Sequence, residues 1–273
     1  MVAFAGNSLL CRIALKNTGI DPASFTSVRL ISAAVTLWLI VQVNRVPDSG
    51  KGNWPSALAL FVYAAGFSFA YVGLTAATGA LLLFGAVQTT MIGYGLWKGE
   101  RFQKLQLVGL VLAVGGLVGL LLPGLSAPPL DSSLLMLGAG VAWGIYTLRG
   151  RGAGNPVKVT AGNFLRTVPV AIALSLVMIG QFSLDSAGVL YAAVSGALAS
   201  GIGYAIWYRA LPSMQAKNAA TVQLSVPMIA ALGGILFIGE ALTLRLVLAS
   251  VAILAGIALV ILEKKQEPFR APS

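Results

Sequence analysis

The sequence predicts an all-α polytopic membrane protein, ten transmembrane helices arranged as two inverted five-helix repeats. Three observations predict it. Of 273 residues, 58% are hydrophobic and only 10% charged, whereas a soluble domain of this length would need a far more charged surface. Apolar runs near 20 residues recur along the whole length, each suited to a helix crossing about 30 Å of hydrocarbon. Finally, "KGERFQKLQLVGLVLAVGG" (Lys98 to Gly116) is nearly rewritten as "IGEALTLRLVLASVAILAG" (Ile238 to Gly256). Both read Gly-Glu, a few polar residues, then an apolar run with a small pair.

Charge and Pro/Gly clusters punctuate the runs into helices near 1–17, 22–43, 54–74, 77–97, 103–122, 132–150, 157–180, 185–209, 214–238 and 244–262. The first follows Met1 without the basic n-region or small-residue cleavage site of a signal peptide; its shortness leaves room for a natural start upstream. Pro22 before the second helix parallels Pro156 before the seventh. The connection "PGLSAPPLDSS" (Pro123 to Ser133) is rich in Pro, Ser and Gly, the composition of a linker. It separates a first repeat over 1–122, with a linker over 123–131, from a second, inverted repeat over 132–263 and a tail over 264–273.

The loops set the orientation. Even-numbered connections and the C-terminus carry most of the Lys and Arg, including Arg45 and Lys51, Lys98 to Lys104, Arg149 to Lys158, and Lys264 and Lys265. Odd-numbered connections carry little beyond Lys16 and Arg245. Cytoplasmic loops are enriched in these residues, so both termini are expected in the cytoplasm. Five helices per half then insert the second half upside down, with Glu100 at the cytoplasmic face and Glu240 at the outer face. "FSFAYVGL" also matches "YAIWYRAL", setting Phe67 and Tyr71 against Tyr204 and Tyr208, with a small insertion near Pro212–Met214.

Composition excludes much else. The net charge of +10 follows from loops enriched in cations and from no basic face, so nucleic acid is not an expected partner. Cys11 is the sole cysteine and histidine is absent, which removes disulfides, zinc and haem ligation and His-based acid–base chemistry. No cofactor, metal or enzymatic activity is expected. "DSGKG", "GIGYAI" and "GRGAGN" lack the context of phosphate or dinucleotide loops. Every acid falls at a helix end or in a loop. A carboxylate at the bilayer centre costs about 2.5–3.5 kcal/mol and usually marks an ion site. Its absence favours downhill export without a membrane-centre proton site, and disfavours a pocket for organic cations.

Trp143–Gly144, "GYAIWYRAL" (Gly203 to Leu211), "QLSVPMIAALGGILFIGEALT" (Gln223 to Thr243) and the small-residue final helix resemble the drug/metabolite transporter superfamily, specifically its ten-helix EamA-type members. Within it the chain is similar to the amino-acid exporters of the YddG type. The first half departs from the pattern: Val87 stands where the ninth helix has Pro227, and the first helix has no tryptophan. The resemblance implies a multi-pass carrier of the bacterial inner membrane that exports small metabolites, most of all hydrophobic or aromatic amino acids, by alternating access. It also implies a cavity between the halves, with the fifth and tenth helices peripheral. Efflux of lipophilic drugs is the alternative; a channel or membrane-embedded enzyme is more distant.

Candidate substrate-binding residues follow from the need to hold a zwitterion in an apolar pocket. Asn7, Gln88 and Gln223 offer neutral amides, while Asn163 is only expected to face protein or water; Phe67, Tyr71, Trp143, Tyr146, Tyr204 and Tyr208 offer rings on helices that the resemblance places around the cavity. Each could equally serve packing or an interhelical hydrogen bond. Pro227 frees a backbone carbonyl and is a candidate hinge. Glu100 and Glu240 are expected to cap the starts of the fifth and tenth helices, or else to act as gate charges. Arg29 and Arg166 are expected to snorkel to the headgroups, and Trp54 and Trp97 to anchor the interface. Gly115 and Gly119, with Ala252 and Gly256, are expected to pack closely within a monomer, a dimer seam being the alternative. The partners are thus a small-molecule substrate and the lipid bilayer.

Overall fold

Where water is absent the backbone must satisfy its own N–H and C=O groups, and apolar runs of this length do so as helices. The computed structural model describes residues 1–45, 50–99, 103–124, 127–150, 154–210 and 222–262. They form α1 (Val2–Asn17), α2 (Pro22–Val43), α3 (Trp54–Tyr71), α4 (Ala76–Trp97), α5 (Lys104–Leu121), α6 (Leu130–Arg149) and α7 (Pro156–Val177). Then α8 (Ser186–Val194), a π-helical stretch (Ser195–Ile202) and α9 (Gly203–Ala210) run on as a rod, followed by α10 (Ser225–Ile238) and α11 (Leu244–Leu262). No strand occurs among the described residues.

Seven of these segments have the length and apolar composition to cross a membrane: α2, α3, α4, α5, α7, the rod Ser186–Ala210 and α11. The described parts of α1 and α10 are shorter, at 16 and 14 residues, while the first turn of α6 holds Asp131 and two serines after Leu130. The chain is therefore an all-helical, multi-pass membrane protein. Glu100, the segment 214–221 of the ninth expected helix, the insertion near Pro212–Met214 and the tail 264–273 lie outside the described residues.

Small polar residues start several of the helices. Asp21, Asn53 and Asn155 each accept a backbone N–H of the first turn, and each precedes a helix with proline at its first or second position. There proline costs nothing, because that N–H has no helical partner anyway. Asp21 does more: its carboxylate accepts the N–H groups of Ala23 and Ser24, both at 2.9 Å, and that of Ser183 at 3.0 Å. The start of α2 is thereby stitched to the loop before α8. Burial would push this carboxyl up, but the Ser183 N–H, together with those of Ser24 and Ala23, outweighs it and holds Asp21 below the usual carboxylate range.

In the bundle, α3 and α4 pack on α6, α2 packs on α7 and the π stretch, and α1 packs on α10. Helices α5 and α11 pack chiefly on each other, at the edge. Ala252 and Gly256 of α11 stand in their seam as expected, but α5 meets them with different glycines from those expected. A Cβ on Gly109 would stand 2.5 Å from the Gly256 carbonyl oxygen, and one on Gly116 would stand 3.0 Å from Ala252 Cβ, while Gly115 and Gly119 meet nothing within 4 Å. The reason is helical phase. Gly109, Ala113 and Gly116 are spaced four and three apart and share one face, whereas Gly115 is turned by about 100° from Gly116.

Gly109→Leu should therefore lower the thermal stability of the detergent-purified protein by about 1–3 kcal/mol through overpacking, with Gly115→Leu close to wild type. Asp21→Ala should cost about 1 kcal/mol of stability at neutral pH through loss of the cap. A carboxyl held below its unfolded value stabilises above that value and loses the effect as pH falls through its folded value. The gap between wild type and variant, followed by thermal unfolding, should thus hold from pH 8 to 5 and close below about pH 4.

Candidate functional site

At the centre of the bundle lies a cavity of about 20 Å³, room for roughly one water. Helix α1 contributes Phe4, Asn7 and Ser8 to its wall, α3 contributes Tyr63 and Phe67, and α4 contributes Leu83 and Phe84. Trp143 of α6, Tyr204 of α9 and Gln223 just before α10 complete it. The rings interlock: Trp143 lies 4.8 Å from Tyr63 and 5.1 Å from Tyr204, and Phe4 meets Tyr204 edge-on at 5.5 Å. Tilted and edge-on contacts of this kind hold aromatic clusters more firmly than area alone.

A chain of buried polar contacts runs through and behind this wall. The Ser195 hydroxyl donates to Asn7 Oδ1 at 2.6 Å, and Asn7 Nδ2 donates to the Tyr63 hydroxyl at 3.5 Å. Arg29 Nη2 donates to the same hydroxyl, and Arg29 Nε to Ser200 Oγ, both at 3.2 Å. Ser195 and Ser200 both sit in the π-helical stretch, a winding often found where function requires an unusual side-chain arrangement. Arg29 overturns the snorkelling expectation. It is 2% exposed, with its guanidinium carbon 4.9 Å from the Phe67 ring centre and 5.4 Å from that of Tyr63. Stacked rings and hydroxyl acceptors hold it among the helices. Arg166 is only partly buried, and donates to the carbonyls of Lys51 (2.7 Å) and Gly162 (2.8 Å).

Polar clusters tie the bundle at both ends. At one end Arg12 Nε lies 3.1 Å from Glu240 Oε1, and Arg12 Nη1 donates to the carbonyls of Tyr71 and Val72. Glu240 Oε2 accepts the Ala76 N–H at 2.8 Å. Glu240 thus sits at the start of α4 rather than of the last helix, whose Leu246 N–H goes to Thr243 Oγ1. The left-handed Gly239 (φ 69°) ends α10 and turns Glu240 back over the bundle. At the other end Asn53 N donates to Asn163 Oδ1 at 2.9 Å, Asn163 Nδ2 reaches the Tyr146 hydroxyl at 3.5 Å, and Arg149 Nε donates to Ser56 Oγ at 3.2 Å.

Of the residues proposed from sequence, Asn7, Phe67, Trp143, Tyr204 and Gln223 line the cavity together. Tyr71 lies one turn away from it: its hydroxyl donates to the Ala76 carbonyl at 3.3 Å, and its ring fills the space a side chain at Gly79 would need. Tyr146 stacks behind Trp143 at 5.4 Å, and Gln88 is buried one turn along α4 from Phe84. Tyr208 faces a separate crevice of about 430 Å³, which it shares with Asn44, Asn155 and Arg209. Pro227 falls in the first turn of α10, just past a break in the helix at Leu224. Having no N–H, it cannot serve the Gln223 carbonyl four residues back.

Sequence reasoning missed Phe4, Ser8, Tyr63, Phe84, Arg12 and the two serines. Tyr63 carried a signal, since Tyr63, Phe67 and Tyr71 recur every four residues on one helical face.

Membrane-length helices around a small, ring-lined cavity with a few neutral polar groups fit a membrane transporter. The chain belongs to the EamA-like transporter family, whose model matches residues 1–122 and 132–262, and so to the drug/metabolite transporter superfamily. It is 58% identical to an uncharacterized protein of Pseudomonas aeruginosa, across 96% of this chain and 91% of that one. It is also 34% identical to the threonine/homoserine exporter RhtA of Escherichia coli, an alignment covering 55% of this chain and 52% of the exporter. The uncharacterized transporter YoaV of Bacillus subtilis is 24% identical over 87% of this chain and 86% of its own length. A crystal structure with 17% identity superposes with a TM-score of 0.66, covering 96% of this chain and 97% of that one, which establishes the shared fold.

The Arg12–Glu240 pair has side chains only 13% and 6% exposed, so removing either partner strands a mostly buried charge. Glu240→Ala should cost about 3 kcal/mol, and the Arg12→Ala, Glu240→Ala double variant should be little worse than either single one. Thermal unfolding of the four proteins measures this; additive losses would show that the two side chains act separately.

Proposed function

We propose that this transporter is a secondary carrier that exports small metabolites, with hydrophobic and aromatic amino acids as its substrates, across a bacterial inner membrane. The observation that carries this reading is the cavity wall: the rings of Phe4, Tyr63, Phe67, Phe84, Trp143 and Tyr204 beside the amides of Asn7 and Gln223. Rings suit an apolar side chain, while neutral amides can orient an ammonium and a carboxylate without a fixed acid. The name of the threonine/homoserine exporter, 34% identical over about half of each chain, supports amino acids over lipophilic drugs. No acid stands among the described lining residues, which supports downhill transport without a membrane-centre proton site.

Alternating access follows as the mechanism. The cavity of about 20 Å³ is far below the roughly 300 Å³ of a ligand pocket, so substrate entry requires one end of the bundle to part. Two five-helix halves of opposite orientation, with both termini cytoplasmic, would rock about this cavity. The packing supports that architecture, because partners recur when the halves are exchanged. Helix α1 against α10 answers α6 against α4, and α3 against α7 answers α2 against the π stretch. The Arg12–Glu240 clasp and the Asn53–Asn163 contact are the two closures to be opened in turn. The break at Leu224, next to Gln223 and Pro227, is the hinge that would let α10 move.

Counterflow in proteoliposomes tests this. Vesicles preloaded with unlabelled amino acids should accumulate labelled phenylalanine or leucine, with or without a proton gradient. Trp143→Ala and Tyr204→Ala should each cut the rate at least about ten-fold, as expected for loss of a buried ring worth more than 1.4 kcal/mol. Movement of a neutral lipophilic dye without amino-acid exchange would instead identify a drug-efflux carrier.

A further inference from the structure

We propose that the cavity takes a substrate bearing a carboxylate, and that the Arg29 guanidinium is its counter-charge and specificity determinant. A guanidinium does not give up its proton in proteins, so Arg29 brings a permanent positive charge into the bundle. Its position is about 10 Å along α2 from the helix start, and it is 2% exposed. Burying such a charge is costly unless it is paired and all its hydrogens are met. The partners that the described residues provide are neutral: the hydroxyls of Ser200 and Tyr63 and the faces of the Tyr63 and Phe67 rings. No carboxylate pairs with it among the described residues, where Glu240 is engaged by Arg12. Moreover, Arg29 Nη1 is buried with no hydrogen-bond partner among the described residues. The described residues therefore hold the charge in place without neutralising it, and leave one arm of its fork over.

That incomplete charge stands directly behind the substrate cavity. Both rings it rests on, Tyr63 and Phe67, form part of the cavity wall, and Tyr63 also offers one of the two hydroxyls it grips. A planar carboxylate matches the two-pronged guanidinium in shape, and supplies the single negative charge that the site lacks. The Tyr63 and Asn7 side of the cavity, backed by Arg29 and Ser195, then receives the head group, leaving Trp143, Phe84 and Tyr204 for the side chain. An amide or ester of the same substrate would leave the charge unmatched, and an uncharged lipophilic molecule would do the same. This assignment deepens the carrier reading and rests on it for the identity of the cavity, but it can be tested by binding alone.

The test measures equilibrium binding to the purified full-length protein for matched acid and amide pairs: phenylalanine, leucine and threonine, each against its amide, with 3-phenylpropionate as a carboxylate lacking the amine. The wild type should bind at least one acid about ten-fold or more tighter than its amide, the scale of a charged hydrogen bond. It should also retain 3-phenylpropionate binding if the acid bound is phenylalanine. Arg29→Gln should bring the acid-to-amide ratio near one, and Arg29→Lys should keep part of it. Tyr63→Phe leaves the charge and ring but removes the gripped hydroxyl, and should lower the ratio several-fold even if Arg29→Gln does not fold. A purely structural arginine would change overall stability and leave the ratio alone. Equal binding of acid and amide by the wild type, an unchanged ratio in the Arg29 and Tyr63 variants, or binding of no acid at all would overturn the assignment. If an acid binds selectively but is not exchanged by proteoliposomes, the carrier reading falls while the role of Arg29 stands.

Discussion

A bilayer interior offers no hydrogen-bond partners, and most of this structure follows from that constraint. Backbone groups satisfy it through helices; side chains must satisfy it one contact at a time. The caps at Asp21, Asn53 and Asn155 meet the exposed N–H groups at helix starts, and Thr75 does the same for α4 through Thr78. Serine and threonine hydroxyls elsewhere turn back to their own helix, as Thr90 does to Ala86 and Thr147 to Trp143. With local polarity absorbed this way, the few polar groups that reach across helices stand out. Besides single contacts such as Ser27 to the Ala171 carbonyl and Gln106 to the Val260 carbonyl, those of the described residues gather at three places: the two ends of the bundle and the cavity between them.

The ends are fastened by different chemistry. An ion pair and a carboxylate cap join α1, α3 and α4 to the turn after α10 at one end. Amides and an arginine–serine contact join α3, α6 and α7 at the other. Neither fastening involves α5 or α11, whose close glycine seam makes them a separate pair on the edge. Movement that opens either end can therefore leave that pair intact.

Much of this was legible in the sequence. Composition and the length of apolar runs read as a multi-pass helical protein, and amides and rings on particular helices pointed to five of the residues that wall the cavity. What was hidden had physical causes. A lone arginine in an apolar run looks the same whether it snorkels or turns inward, and only the neighbours of Arg29 distinguish these. Glu240 lies near the start of the last helix in sequence, yet its carboxylate serves an N–H 164 residues away, because the turn at Gly239 redirects it. Likewise, Gly115 and Gly119 have a recognised spacing, but phase decides which glycines touch. A helical face cannot be assigned from one helix without knowing where its partner lies.

The π-helical stretch spells out its winding in the chain itself. "SGALASG" repeats Ser-Gly after five residues, as Ser195–Gly196 and Ser200–Gly201. In an α-helix residues five apart point about 140° away from each other, so two such pairs could not face one neighbour. Bonds from i to i+5 widen the turn and bring them closer to one face. Both glycines then press against α2, Gly196 at Arg29 and Ser32 and Gly201 at Thr36, while both serines reach inward to Asn7 and Arg29. The rod is thus keyed to α2 by a five-beat rhythm that its α-helical ends do not share, and an ordinary heptad reading would pass over it.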